Sequence, residues 1–181
     1  MVMSDHAPGE LEIVRAFVNT LDVESGADDL ASGAALQAWL EGRGLLRGGR
    51  ASAADLRAAR ALREAIRGLL LENNGVHVRK ESAQRLGRAA DGGRLTLRFD
   101  PAGTARLEPV ARGVPGALGR LVAIVAAAMA DGTWGRLKAC RADRCGWAFY
   151  DRARNRSRQW CSMAVCGNRT KARAYRRRHA A

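Results

Sequence analysis

No stretch of this 181-residue chain approaches the roughly 18–20 apolar residues that a membrane-spanning helix needs. The best candidate, Leu121 to Ala130, is ten residues and rich in alanine. The start, MVMSDHAPGE, has no basic residues followed by an apolar run, which excludes a secretory signal. These absences predict a cytoplasmic protein with no membrane partner. There is no P-loop, no G-x-S-x-G and no G-x-G-x-x-G after a strand-like run. His6, His77 and His179 are scattered, and none belongs to a zinc-protease pattern. The pairs in RGGR (47–50) and DGGR (91–94) read as plain turns. No catalytic residue is assigned, and the chain is not read as an enzyme. No internal repeat is visible. Cysteine is absent from the first 139 residues, and acidic residues are nearly absent from the last 46.

What is present divides the chain in two. Apolar residues make up 47% and charged residues 27%, near the soluble globular average, and a core forms without staples at this length. Residues 1–135 hold 17 Lys+Arg and 16 Asp+Glu, a net of +1. Residues 136–181 hold 14 Lys+Arg against Asp143 and Asp151, a net of +12. All four cysteines lie there, and six of the nine aromatics lie at or beyond Trp134. The reading is a near-neutral body, residues 1–133, and a basic cysteine-bearing module, residues 134–181.

The body reads as α-rich α+β. Leu11, Val14, Phe17, Val18 and Leu21 recur at helical spacing. Ser32 caps a second helix carrying Leu36, Trp39 and Leu40, ended by Gly42 and Gly44. Ser52 and Asp55 form a capping-box start, followed by a stripe from Leu56 to Leu70 and stopped by Asn73, Asn74 and Gly75. A shorter helix around Glu81–Ala89 is weakly patterned. RLTLRFD (94–100) and ARLEPV (105–110) alternate around a PAG turn and predict a hairpin with Leu95, Leu97 and Phe99 on one face. Pro115 and Gly116 open a last helix, whose alanines at 126–128 predict close packing.

The cysteines read C-x4-C, fifteen intervening residues, C-x4-C: Cys140, Cys145, Cys161 and Cys166. Two close pairs separated by a fingertip follow the spacing of a four-thiolate zinc site. Two disulfides, or four unrelated thiols, are the competing readings, and the inferred cytosol disfavours the first. One structural Zn²⁺ is expected, because four sulfurs leave no open position for a substrate. The predicted order is a strand from Leu137, a tight knuckle, a strand at 147–151 returning at 158–161, and a helix from Cys166. That order describes a treble-clef-like finger. Trp147, Phe149 and Trp160 are expected beside the zinc, as are Ala172 and Tyr175 on the helix. Arg141, Arg144, Arg158 and Arg169 lie close to the ligands in sequence and favour deprotonated thiols.

The run from Cys140 to Arg178 resembles the CGNR-type zinc finger, named for Cys166, Gly167, Asn168 and Arg169. The match takes in the four cysteines, the aromatic before Asp151, Arg154-Asn155, Arg158, Trp160 to Met163 and Lys171. Ala153 departs from the family's usual serine. The body is similar to the ABATE domain that precedes this finger, through Phe17-Val18-Asn19-Thr20 and Leu62-Arg63-Glu64-Ala65. The resemblance implies a bacterial stress-response transcription regulator, with a finger that binds duplex DNA and a body that senses a small-molecule effector.

The basic residues fit that expectation. Arg152, Arg154, Arg156 and Arg158 alternate and share a face if they lie on a strand. Arg169, Arg173, Arg176 and Arg177 share a face of a helix. Asn168 and Lys171 complete the expected nucleic-acid set. Arginine outnumbers lysine 28 to 3, which suits phosphate and guanine edges, although genomic GC bias also enriches it. An RNA- or protein-binding adaptor built on the same finger is the alternative, and an enzyme in the body is a third class. Asn19 and Arg63 are the candidate effector contacts, or else partners in a helix-to-helix hydrogen bond. One finger gives a small footprint, so a homodimer is compatible with specificity grounds, and the sequence does not fix the oligomeric state.

Overall fold

The computed structural model describes residues 6–77 and 81–179. The body is built from α1 (Leu11–Val18), α2 (Gly33–Glu41), α3 (Ala53–Glu72), α4 (Glu81–Gly93), a hairpin of β1 (Leu95–Phe99) and β2 (Ala105–Pro109), and α5 (Gly113–Ala130). The α+β class read from the sequence is the observed one.

Local chemistry sets the helix starts. Ser32 Oγ accepts from the Ala35 N–H at 3.1 Å and opens α2. In α3 the capping box closes both ways: Asp55 N–H to Ser52 Oγ at 3.1 Å and Ser52 N–H to Asp55 Oδ2 at 2.8 Å. The apolar stripes then turn inward. Leu11, Val14, Phe17 and Val18 of α1 meet Ala59, Leu62, Ile66 and Leu70 of α3 in one core with α5.

Helix α5 begins at Gly113, two residues before Pro115, which sits in the first turn where its missing N–H costs nothing. Its closest approach is made by glycine, and of the alanines at 126–128 Ala128 packs in the core. A Cβ on Gly93 would lie 2.6 Å from Gly119 Cα, so α4 and α5 cross at a pair of glycines. Ala127 is exposed. The apolar helix is also longer than the ten residues read from the sequence: Gly113–Ala130 is apolar enough for a membrane by composition, but 61% of it is buried within the fold as a core helix.

A short 3₁₀ turn (Trp134–Arg136) leads into β3 (Leu137–Ala139), which pairs antiparallel with β4 (Ala148–Tyr150), Leu137 opposite Tyr150. A loop, a π turn (Met163–Gly167) and α6 (Asn168–His179) follow. The expected return strand at 158–161 is absent. One edge of β4 pairs with β3, the Asn19 side chain takes the Ala148 N–H and carbonyl on the other, and the Gln159 carbonyl is taken by the Arg141 N–H at 3.2 Å. The last helix starts at Asn168, after a π turn, instead of at Cys166. Leu137, Ala139, Ala148 and Tyr150 belong to the same buried cluster as Phe17 and Leu121, so one core runs through body and finger.

Candidate metal centre and nucleic-acid interface

Cys140 lies just beyond β3, and its N–H donates to the Trp147 carbonyl at 2.9 Å across the knuckle. The Cys145 N–H closes the knuckle onto the Ala142 carbonyl at 3.0 Å. Arg144 (φ 69°) and Gly146 (φ 60°) take left-handed conformations that let so short a turn return. Cys166 is presented by the π turn, where its N–H and that of Gly167 both donate to the Ser162 carbonyl, at 2.9 and 3.0 Å.

The four sulfurs converge. A regular ZnS4 tetrahedron with bonds of about 2.3 Å has sulfurs about 3.8 Å apart. Here Cys145 and Cys161 Sγ are 3.6 Å apart, Cys161 and Cys166 Sγ are 3.7 Å apart, and all four lie within 4.8 Å of one another. A disulfide needs about 2.05 Å, and all four thiols are free. This is the donor set, size and closure of one structural zinc. The protonation of the cluster also fits. Hydrogen bonds from Cys145 and Cys161 hold the Cys140 thiol at about 2, and the same coupling pushes Cys145 up to about 12 and raises Cys161. Four crowded sulfurs therefore resist full deprotonation without a cation, and a divalent ion at their centre removes that resistance.

Residues 136–179 match the model of the CGNR zinc finger, and residues 12–132 match that of ABATE, described as a "putative stress-induced transcription regulator". The chain belongs to the ABATE family. No curated protein matches it.

The CGNR finger is tied to the ABATE body by side chains of α3 and of the two residues that follow it. Asn73 and Asn74, read as helix stops, are clamps. Asn73 Nδ2 donates to the Trp134 and Leu137 carbonyls, both at 2.9 Å. Asn74 Nδ2 donates to Ala139 at 2.7 Å and Gln159 at 2.9 Å. Arg67, unnoticed in the sequence, is buried and donates to the Gly146 carbonyl in the knuckle and to Val18 in α1, at 2.6 and 2.8 Å. Inside the finger, Lys138 Nζ meets the fully buried Asp151 carboxylate at 2.8 Å. Asp151 also accepts from the Ala153 and Arg158 N–H groups, each at 3.0 Å. Burial raises the Asp151 carboxyl, but the Lys138 ammonium and these N–H groups more than offset it and hold it below the usual carboxylate range.

Asn19 and Arg63 do not meet, contrary to one of the expectations for them. Asn19 pairs with the backbone of Ala148. Arg63, 3% exposed, grips Asp28 with two bonds of 2.6 and 3.1 Å and also reaches Thr20 and Glu64. Both are occupied in holding structure.

The basic residues separate into two groups. Arg152, Arg154 and Arg156 are exposed, but on a loop rather than along one strand face, because Asp151 folds the chain there, and Arg152 also donates to the His6 carbonyl at 2.9 Å. Arg158 turns inward over Phe149 and donates to the Trp160 and Cys161 carbonyls. On α6, Arg169 pairs with Glu24 of the body and reaches Cys166 Sγ at 3.7 Å, while Arg173 reaches Asp143. The predicted arginine face thus partly turns toward the protein. Asn168, Lys171, Arg176, Arg177 and Arg178 are exposed. Phe149 is buried against the cysteines with Trp160 partly buried beside it, as expected, while Trp147 is only half-buried and outside that cluster. Ala172 and Tyr175 are not there: both are exposed, and Tyr175 stacks on His179 at 4.1 Å.

Proposed function

We propose that this protein is a DNA-binding transcription regulator whose finger grips duplex DNA and whose body receives a ligand or stress signal. The observation that carries the reading is the placement of cations: Arg152, Arg154 and Arg156 on one exposed loop, and Lys171 with Arg176–Arg178 on an exposed helix. The zinc thiolates account for only two units of negative charge against the finger's +12. Arginine forks suit phosphate oxygens and the guanine edge, and α6 is of the right element type for the major groove. The effector acts through α3, which carries Arg67 and ends at Asn73 and Asn74, so a shift of that helix moves the knuckle and the 159 loop together.

Duplex affinity measured against salt tests the finger. About six neutralised phosphates give a slope of log K against log salt near −5, and a slope near −1 removes the proposal. The exposed Tyr175–His179 stack is the observation that favours an RNA-binding adaptor instead, because stacked aromatics suit unpaired bases. Structured RNA that outcompetes duplex DNA selects that second reading.

A further inference from the structure

The β1–β2 hairpin carries an apolar face that its own chain covers only at the base. Leu95, Leu97 and Phe99 lie on it with their cross-strand partners Pro109, Leu107 and Ala105. At the base, Leu95 and Pro109 rest against α5 at Gly119, where a Cβ would sit 3.4 Å from Pro109 Cβ and 3.5 Å from Leu95 Cδ2. Toward the tip the hairpin parts from the helix: Leu97 is 54% exposed and Phe99 68% exposed. The gap is a cleft of about 540 Å³ whose far wall includes Ala123, Ile124, Ala127 and Ala130. Phe99 alone leaves on the order of 130 Å² of aromatic surface in water. A large side chain and an alanine-walled hollow therefore stand side by side.

We propose that this face is a two-fold homodimer interface in which Phe99 of each copy fills the cleft of the other. A two-fold contact requires a self-complementary patch, and an adjacent knob and hollow meet that requirement. Charge permits the same face. Of the chain's +13, the finger holds +12, so two copies repel finger to finger and approach each other through the near-neutral body. Residues 95–110 carry Arg98 and Arg106 against Asp100 and Glu108, a net of zero, and residues 121–130 carry no charge. At the cleft's edge Arg120 and Glu10 neutralise each other at 2.5 Å. One face of the hairpin with the outer edge of α5 makes an interface at the small end of the range, in keeping with micromolar association. The dimer stands whether or not the finger binds DNA, and where it does, two fingers enlarge the footprint.

The test is sedimentation equilibrium of the full zinc-loaded chain without nucleic acid, from about 1 to 100 µM, a range that reports micromolar association. Wild type is expected to pass from monomer to dimer. Phe99→Asp and Leu97→Glu, at exposed positions, are expected to abolish the dimer with no change in circular dichroism, while Thr96→Asp on the opposite face leaves it intact. Fluorophenylalanine labelling gives a readout without mutation. The chain has three phenylalanines, and Phe17 and Phe149 are fully buried, so only the Phe99 resonance should shift with concentration. A wild type monomeric throughout, a dimer that survives both charge substitutions, or a concentration-independent Phe99 resonance overturns the proposal.

Discussion

Asn19 and Ala148, 129 residues apart, satisfy each other's hydrogen-bonding groups. The Asn19 amide donates to the Ala148 carbonyl at 2.9 Å and accepts the Ala148 N–H at 2.7 Å. Ala148 is fully buried in β4, the strand that follows the first pair of zinc ligands. A body side chain thus supplies the hydrogen bonds that a further strand would otherwise give.

Asn19→Ala leaves that N–H and carbonyl without partners. The expected cost is about 2 kcal/mol, or roughly 4–8 °C in Tm for a chain of this size. Asn19→Asp should cost more, since an acceptor then faces the Ala148 carbonyl. Thermal denaturation of the zinc-loaded protein checks both, and an unchanged Tm for either contradicts the assignment.

Lys138 and Asp151 form the finger's internal strut, 6% and 0% exposed at the side chain. Asp151→Asn strands a buried ammonium and should destabilise by about 3–5 kcal/mol. Loss of the folded finger is read from the chemical-shift dispersion of the Ala148–Tyr150 amides.

Asp28 carries a pH signature. Its burial raises the carboxyl, but Arg63, the Leu30 N–H and Arg60 prevail and hold it below the ordinary value. A depressed folded pKa gives stability that is full above the unfolded value of about 3.9 and is lost as the pH falls through the folded value. The Tm difference between wild type and Asp28→Asn should therefore be largest near neutrality and shrink below about pH 4. Taking the difference cancels the zinc site's own acid sensitivity. A pH-independent difference contradicts the ion pair, and Arg63→Ala should itself lower Tm markedly.

Zinc removal should loosen the whole chain, because Leu137, Ala139 and Ala148 share the core with Phe17 and Leu121. Chelation is expected to lower a single cooperative transition, monitored at finger tryptophans and body helices together. Two separate transitions would mean the finger melts alone.

These relationships mark the limits of sequence reading. The Ser52–Asp55 box, the helical stripes, the 95–109 hairpin and the cysteine spacing are local signals, and each structure followed from them. Asn73, Asn74 and Arg67 act on finger carbonyls 61 to 85 residues away, which no local period encodes. The alternation of Leu95, Leu97 and Phe99 gave their common face but could not say that α5 diverges from it. The period of α6 gave an arginine stripe, but Glu24 and Asp143 decide which way it turns.

That orientation separates two sets of arginines. Arg176, Arg177 and Arg178 replaced together by alanine should weaken duplex binding and reduce the salt slope by about 3. Arg169→Ala, which breaks an exposed ion pair to the body, should change stability little and the slope by less than the triple variant does. Equal effects on the slope would contradict the orientation of α6.

Reading of duplex DNA by the finger is the core of the proposed function. Selection from a random duplex library by the zinc-loaded full chain, at about 150 mM salt where screening is physiological, tests it most directly. The expected result is an enriched motif that is lost when Arg176–Arg178 are replaced by alanine. Strong retention with no enriched sequence would contradict it and leave a basic surface that holds polyanions without reading them.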